Sequence, residues 1–254
     1  MTATATLFSL EGRTALVTGA GRGIGRAIAL GLADAGAGLV LLGRNGSTAA
    51  TADEIAAAGR PVDVVDADLG DLAGLRTTID EFAERTDVDV LVNCAGVIRR
   101  AAFLDAADAD WDEVMTVNLD APRLLSRWVA AGMLDRGRGK IINIASLLSF
   151  QGGKDVASYT ASKHAIVGLT RALANEWAPR GVQVNAIAPG YIATDNTAAL
   201  RSDPAREAEI LARIPTGRWG RPPDIVGAAV FLAAPASDYV TGHTLVVDGG
   251  WMSR

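Results

Sequence analysis

The sequence predicts an α/β fold in which one doubly wound domain, residues 1–254, holds a central parallel sheet of about seven strands flanked by helices. Short apolar, β-prone runs alternate with helical segments along the chain, and this order favours a parallel sheet with right-handed crossovers. The apolar runs are continuous rather than alternating, as expected of strands that helices cover on both faces. No linker, repeat or low-complexity stretch divides the chain.

The elements follow one another regularly. Strands are predicted at 14–18, 38–43, near 62–66, at 88–96, 140–146 and 182–189, and near 244–247. Helices are predicted at 26–36, near 48–58, near 72–85, over about 110–135, at 157–178, near 196–213 and near 223–233. Gly36 marks the end of the first helix, because glycine is the usual residue just beyond a helix C-terminus.

Composition excludes several classes of function. The formal net charge is −5 and no basic block is present, so nucleic-acid binding is not expected. Cys94 is the one cysteine, which suits a reducing cytoplasm. The start of the chain lacks the pattern of a signal peptide, and no apolar run approaches the roughly 18 residues of a membrane span. With Cys94 and the two histidines scattered, we expect no metal site.

A glycine-rich loop, TGAGRGIG at 18–25, joins the first strand to the first helix. Gly19, Gly23 and Gly25 give the spacing G-x-x-x-G-x-G. Glycines here permit a tight turn and let a pyrophosphate approach backbone N–H groups at a helix N-terminus. A plain strand–helix turn needs only one glycine, so the loop predicts dinucleotide binding.

The end of the second strand indicates which dinucleotide is used. That strand ends LLGRN, without the acidic residue that often binds the ribose 2′-hydroxyl of NAD. Arg44 is placed to pair with a 2′-phosphate, and Arg22 is within reach of the same group. We therefore expect a preference for NADP(H), with NAD(H) possible.

Four motifs in order resemble the short-chain dehydrogenase/reductase family: residues 18–25, NCAG at 93–96, Ser146, and YTASK at 159–163. The resemblance covers nearly the whole chain and implies a Rossmann-type fold. Cys94 departs from it, because the family usually has a second asparagine there.

The resemblance implies four catalytic residues. Tyr159 would be the general acid/base, and Lys163 would lower its pKa and hold the nicotinamide ribose. Ser146 would polarise the carbonyl, and Asn118 would support a water-linked proton path. Helical spacing independently places Tyr159 and Lys163 on one face. Ser146 is preferred over the hydroxyls of Ser149, Ser158 and Ser162 because it ends a strand thirteen residues before Tyr159.

The resemblance extends the set of cofactor-binding residues beyond the glycine loop and the two arginines, and it favours a homotetramer. Besides Tyr159 and Lys163, the set comprises Gly19, Arg22, Gly23, Ile24, Gly25, Arg44, Asn45, Asp68, Leu69, Asn93, Ala95, Gly96, Pro189, Gly190, Ile192 and Thr194. A stripe from Ala161 to Trp177 at four-residue steps is either core packing or an interface with another subunit.

A narrower likeness concerns the substrate. Residues 96–100, 141–153, 175–197, 213–220 and 246–251 resemble the gluconate 5-dehydrogenase and 2-deoxy-D-gluconate 3-dehydrogenase (2-keto-3-deoxygluconate 5-dehydrogenase) branches of the family. This implies an enzyme that oxidises a CH–OH group of a sugar acid. Arg99 or Arg100 would meet the carboxylate, and Gln151 and Tyr191 are further substrate candidates.

Two alternatives stay open. A 3-oxoacyl-thioester reductase would use the same four residues, and the basic residues Arg136, Arg138 and Lys140 are candidates for docking an acidic acyl carrier. A non-catalytic dinucleotide sensor or scaffold would tolerate loss of Ser146, Tyr159 or Lys163, and all three are present.

Overall fold

A computed structural model of the protein describes residues 2–83 and 86–254. It contains one sheet of seven strands in the order β3-β2-β1-β4-β5-β6-β7, with every neighbouring pair parallel. The strands are β1 (Thr14–Thr18), β2 (Gly38–Gly43), β3 (Val62–Asp66), β4 (Val90–Asn93), β5 (Gly139–Ile144), β6 (Val182–Pro189) and β7 (Thr244–Val247). The predicted α/β fold is confirmed.

Ten α-helices occur in the described residues. They are α1 (Ala3–Leu7), α2 (Gly23–Asp34), α3 (Ala49–Ala57), α4 (Leu72–Ala83), α5 (Asp108–Met115), α6 (Ala121–Arg136), α7 (Ala157–Trp177), α8 (Ala198–Arg201), α9 (Pro204–Arg213) and α10 (Pro223–Ala233). The short helix α1 is not among the predicted elements. The predicted end of α4, at 84–85, lies outside the described residues.

Both faces of the sheet are covered, which explains the continuous apolar strands. Ala15 and Val17 of β1 pack in a core with side chains of α2, α3 and α10. Leu16, between them, belongs to the opposite core, with side chains of α4, α6 and α7. Burying one such leucine fully stabilises the fold by about 1.5–3 kcal/mol.

The single helix predicted over 110–135 is wrong in one respect: it is interrupted. A π-helical turn, Thr116–Asp120, separates α5 from α6. Pro122, near the start of α6, has no N–H for a helical hydrogen bond. The turn carries the predicted catalytic residue Asn118, which is buried. Such turns inside helices frequently mark functional sites.

The segment predicted as one helix near 196–213 is also divided. A 3₁₀ turn, Asp195–Thr197, leads into α8, and α9 begins separately at Pro204. The Asp203 carboxylate caps α9 by accepting from the N–H groups of Ala205 at 3.0 Å and Arg206 at 3.2 Å. Capping and the proline together start a new helix at this point.

The strand order places a crevice beside β1. The chain moves outward from β1 to β3, and then returns to β4 on the other side of β1. In doubly wound sheets, ligands bind outside the carboxyl ends of the strands at this reversal. Within residues 2–83 and 86–254, no helix combines the length and the apolar character needed to span a bilayer.

Candidate active site

A cleft of about 910 Å³ opens at the carboxyl ends of the strands. Most of the predicted site residues line it: Gly19, Arg22, Gly23, Ile24, Gly25, Arg44, Asn45, Asp68, Leu69, Ala95, Gly96, Ser146, Tyr159, Lys163, Pro189, Gly190, Ile192 and Thr194. Residues from across the chain thus converge on one crevice, as the motif order implies.

The glycine loop leads directly into α2, which begins at Gly23, three residues earlier than predicted. Arg22 precedes the helix without capping it through its side chain, so backbone N–H groups at the helix N-terminus lack a side-chain acceptor. Gly23 and Ile24 line the cleft there. An uncapped helix N-terminus on a large crevice fits an anionic pyrophosphate.

Two loop glycines are required by close packing of the chain. Gly19 has φ +66°, and a Cβ on it would lie 2.9 Å from Ala95 Cα. A Cβ on Gly25 would lie 2.2 Å from the carbonyl oxygen of Gly19. The glycine pattern therefore keeps the loop close to β4 as well as opening it to a ligand.

Asn93 is the one predicted cofactor residue outside the cleft lining, so its role beside the adenosine ribose stays a prediction. It is 4% exposed, and its Nδ2 donates to Asn143 Oδ1 at 2.9 Å. The loop that follows is held instead by Thr18, whose Oγ1 accepts from the N–H groups of Cys94 and Ala95, both at 3.0 Å. Thr18 immediately precedes the first glycine and was not predicted as a site residue.

The two arginines expected near a 2′-phosphate both line the cleft, and both are paired with carboxylates. Arg44 Nη1 lies 3.2 Å from Asp68 Oδ2, and Arg22 Nη1 lies 2.9 Å from Asp195 Oδ2. The pKa of Asp68 lies below its usual value. The main cause is the hydrogen bond from the Gly70 N–H, and Arg44 lowers it further. The guanidinium groups are exposed, so an incoming phosphate can compete for them.

Tyr159 and Lys163 project from the first two turns of α7 onto the cleft. Lys163 Nζ lies 5.5 Å from the centre of the Tyr159 ring and donates to the carbonyl oxygen of Ile144 at 2.6 Å. That carbonyl ends β5, so the lysine ties the catalytic face of α7 to the sheet. Helical spacing correctly predicted the shared face.

In the cofactor-free protein, burial is the largest influence on both Tyr159 and Lys163. Burial raises the pKa of the Tyr159 phenol, against opposing effects of a hydrogen bond with Ser146 and the charge of Arg100. Burial also lowers the pKa of Lys163 to about 8. Both shifts have one cause, since removal from water disfavours phenolate and ammonium alike.

Ser146 follows β5 and is the one of the four candidate serines, Ser146, Ser149, Ser158 and Ser162, that lines the cleft. Its Oγ accepts from the N–H of Leu148 at 3.2 Å. The same hydroxyl hydrogen-bonds the Tyr159 side chain, and its proton remains available for donation to an oxygen in the cleft. The rival hydroxyls of Ser149, Ser158 and Ser162 are buried.

Asn118 lies behind the cleft and is held by three hydrogen bonds. Its Oδ1 accepts from Val97 N at 2.8 Å, and its Nδ2 donates to Val97 O at 2.9 Å and to Ser162 Oγ at 3.2 Å. Ser162 Oγ in turn donates to the carbonyl oxygen of Tyr159 at 2.8 Å. Asn118 is thus connected to the tyrosine backbone, which sequence spacing did not show.

The structure does not bring the predicted substrate residues Arg99, Gln151 and Tyr191 into the cleft lining. Arg99 pairs with Glu113 at 2.7 Å and Asp110 at 3.6 Å. Gln151 accepts from Trp251 Nε1 at 3.2 Å, and Tyr191 packs on the ring of Trp251 at 4.6 Å between centroids. Their side chains are engaged within the protein.

Cys94 lines the cleft as a neutral thiol. Burial raises its pKa to about 12, and the neighbouring Lys163 charge only partly opposes this. Across residues 2–83 and 86–254, no three His, Cys, Asp or Glu side chains form a group able to hold a metal ion.

Known proteins match this chain over nearly all of its length. The model of a family described as enoyl-(acyl carrier protein) reductase matches residues 19–252. The 2-dehydro-3-deoxy-D-gluconate 5-dehydrogenase of Bacillus subtilis (strain 168) is 51% identical over 247 residues, which cover 97% of each chain. The gluconate 5-dehydrogenase of Gluconobacter oxydans (strain 621H) is 42% identical, covering 96% of each chain.

Solved structures also match this chain over nearly all of its length. A Beutenbergia cavernae chain with bound NADP at low occupancy is 58% identical with a TM-score of 0.96, and the match covers 98% of this chain and 100% of that one. A gluconate 5-dehydrogenase of Burkholderia cenocepacia J2315, in complex with NADP and tartrate, is 43% identical with a TM-score of 0.95, covering 99% of both chains. The chain belongs to the short-chain dehydrogenase/reductase family of nicotinamide-dependent oxidoreductases.

Proposed function

We propose that this protein transfers a hydride between NADP(H) and a secondary alcohol or ketone of a sugar acid. The observation that carries the proposal is the arrangement of Ser146, Tyr159 and Lys163 around one cleft whose glycine loop fits a dinucleotide. Four relatives at 50–53% identity are named 2-dehydro-3-deoxy-D-gluconate 5-dehydrogenase, and this sugar acid is our first candidate substrate.

Each of Tyr159, Ser146 and Lys163 would have a separate task in this reaction. The bound nicotinamide supplies or accepts the hydride, as cofactors do in such enzymes. Tyr159 holds the proton that the substrate oxygen gains on reduction and takes it back on oxidation. Ser146 donates a hydrogen bond to that oxygen as negative charge develops on it. Lys163 holds the catalytic face of α7 against the end of β5 and binds the cofactor's ribose.

We assign the substrate carboxylate to Arg100. Like Arg99 it lies outside the cleft lining, but it is exposed, and within residues 2–83 and 86–254 no carboxylate forms an ion pair with it, whereas Arg99 is paired with two. An effect of its charge on the Tyr159 phenol supports a position near the rim of the cleft. A backbone bond from Ala101 N to Asp155 O, 3.0 Å long, fastens its loop close to α7.

The preference for NADP(H) rests on Arg22 and Arg44. Asp66 lies beside Gly43 at the end of β2, but its carboxylate accepts from the N–H groups of Asn45 at 2.9 Å and Gly46 at 3.1 Å. The other carboxylate near this strand end, Asp68, pairs with Arg44 at 3.2 Å, so both acids are engaged and Arg44 is the cation available to a 2′-phosphate. NAD(H) remains a usable but weaker cofactor, and no metal takes part.

The thioester-reductase alternative loses its structural support. Arg136, Arg138 and Lys140 pair with Asp87, Asp89 and Asp238 respectively. They also lie where α6 ends and β5 begins, at the opposite end of the sheet from the cleft. They therefore offer no free basic surface beside the site for an acidic carrier.

We further propose a cytoplasmic homotetramer. Ala161, Ala165, Leu169 and Leu173 of the α7 stripe are only half-buried within one chain. Phe103 and Leu104 are 70% and 96% exposed. An apolar surface of this kind is typical of a subunit interface. Light scattering behind a sizing column gives the mass; a monomer would refute the assembly.

A substrate panel tests the function. Turnover is followed at the absorbance of the reduced nicotinamide with 2-dehydro-3-deoxygluconate, gluconate, 5-ketogluconate, 2-deoxygluconate and an acetoacetyl thioester, each with both cofactors. Highest kcat/KM for a sugar acid with NADP(H) is expected. The highest kcat/KM for the thioester would favour a 3-oxoacyl-thioester reductase. Cofactor binding without any turnover would favour a non-catalytic dinucleotide sensor or scaffold.

A further inference from the structure

Ser149 is a buried serine that the chemistry above does not use. It ends the 3₁₀ turn Leu147–Ser149, which follows Ser146 directly. It is 6% exposed and does not line the cleft, so it cannot touch substrate or cofactor. Any effect it has on the reaction must pass through the residues it contacts.

Those contacts join two catalytic residues. Ser149 Oγ accepts a hydrogen bond from the backbone N–H of Ser146 at 3.2 Å. The same hydroxyl donates to the backbone carbonyl oxygen of Lys163 at 2.6 Å. One side chain therefore bridges the loop that carries the polarising hydroxyl and the helix that carries Tyr159 and Lys163.

We propose that Ser149 is a positioning residue, whose hydroxyl fixes the separation between Ser146 and the catalytic face of α7. The second link between these elements, Lys163 Nζ to Ile144 O, uses a group that titrates and takes part in the reaction. The Ser149 bridge joins a hydroxyl to two backbone groups, and none of the three titrates near neutral pH. It keeps the spacing constant while the lysine and tyrosine change protonation.

The bridge also sets the direction of the Ser146 side chain. Ser149 Oγ holds the Ser146 N–H, while Ser146 Oγ accepts from Leu148 N, so the turn is closed from both ends. Without the bridge, the turn keeps one of these two side-chain bonds, and the separation of Ser146 from Tyr159 is held mainly by the hydrogen bond between their own side chains, which changes during the reaction. A misplacement of about 1 Å can cost roughly 100-fold in rate.

The test compares Ser149→Ala with Ser237→Ala, and it rests on the proposed oxidoreductase activity. Ser237 is another buried serine that bonds backbone carbonyls, those of Leu232 and Ala234, far from the cleft. Ser149→Ala is expected to lower kcat about 10- to 100-fold, with KM and the Kd for NADP unchanged. Ser237→Ala is expected to lower thermal stability but to keep the wild-type kcat.

Two outcomes overturn the proposal: a wild-type kcat in Ser149→Ala, or an equal kcat loss in Ser237→Ala. Should Ser149→Ala fail to fold, Ser149→Cys keeps the volume but donates only weakly, and a wild-type kcat there overturns the proposal as well. Any alcohol that the wild type oxidises serves for this comparison. Failure of the sugar-acid assignment is therefore distinguishable from failure of the positioning role.

Discussion

Replacing Lys163 by methionine is expected to abolish turnover and to change how stability depends on pH. The side chain is 5% exposed, and burial lowers its pKa from 10.5 to about 8. The unfolded chain keeps the ordinary value. Between about pH 8 and 10.5, the unfolded state therefore binds one proton more than the folded state, and the free energy of unfolding of the wild type rises with pH.

The size of the effect follows from the shift. A gap of about 2.5 pH units, at about 1.4 kcal/mol per unit, corresponds to about 3 kcal/mol. Below pH 8 the folded protein carries this cost in full, and methionine removes it. The variant also leaves the Ile144 carbonyl without its donor, which costs about 1–3 kcal/mol. At neutral pH the two terms nearly cancel, so the pH dependence is the clear signal.

The pH dependence of the free energy of unfolding is measured by urea unfolding of the cofactor-free protein, at fixed protein concentration between about pH 7 and 9.5. The wild type should gain stability relative to Lys163→Met as pH rises above 8. Lys154→Met is the matched control, because Lys154 is exposed. A constant difference between wild type and Lys163→Met across this range would refute the reasoning, as would the same trend in Lys154→Met.

Four further outcomes are expected. Tyr159→Phe should lower kcat at least about 100-fold while the Kd for NADP, measured by fluorescence, is kept; substantial remaining activity would identify another proton donor. Arg44→Ala should raise KM for NADP about 10-fold or more and leave KM for NAD unchanged, and equal losses would contradict the 2′-phosphate role. Arg100→Ala should raise KM for the sugar acid about 10-fold or more, whereas Arg99→Ala, its ion-paired neighbour, should not; the reverse order would exchange their roles. Ultraviolet titration of the cofactor-free protein, with Tyr159→Phe subtracted, should show a phenol that ionises above pH 10, because burial raises the pKa of Tyr159; ionisation below pH 10 would refute this.

The fold was predictable because its signals are local. A strand such as β1 is apolar on both faces, and the glycines that follow it predict a tight turn into a helix. The breaks in the helices at Thr116–Asp120 and before Pro204 were not predicted, because they depend less on local sequence signals. A π-helical turn has no strong sequence signature, and its place is decided by packing of Asn118 against the chain near Val97.

The sequence predicted most of the residues that line the candidate site, but it did not predict which side chains form ion pairs or hydrogen bonds with one another. Spacing on a helix places Tyr159 beside Lys163, yet nothing in the sequence says that Arg99 meets Glu113 while Arg100 forms no ion pair with the residues that the structure describes. Those pairings depend on how α5 packs beside the loop after β4, which is a tertiary property. Asn93 shows the same limit, since its neighbours Ala95 and Gly96 reach the cleft while its own side chain turns toward Asn143.

The sign of the Tyr159 shift changes how the site must work. In the cofactor-free protein, burial disfavours the charged forms of both side chains, the Tyr159 phenolate and the Lys163 ammonium, so the lysine alone is not expected to make the tyrosine a base at neutral pH. A further positive charge in the cleft is needed to favour phenolate, and the oxidised nicotinamide ring is the charge that alcohol oxidation itself requires. We therefore expect Tyr159 to act as an effective base only when the oxidised cofactor is in place. The buried surroundings that raise the pKa of the phenol would also strengthen its response to that charge, because the local dielectric is low. In the proposed reaction, burial of Tyr159 and Lys163 would thus couple proton abstraction to the presence of a hydride acceptor.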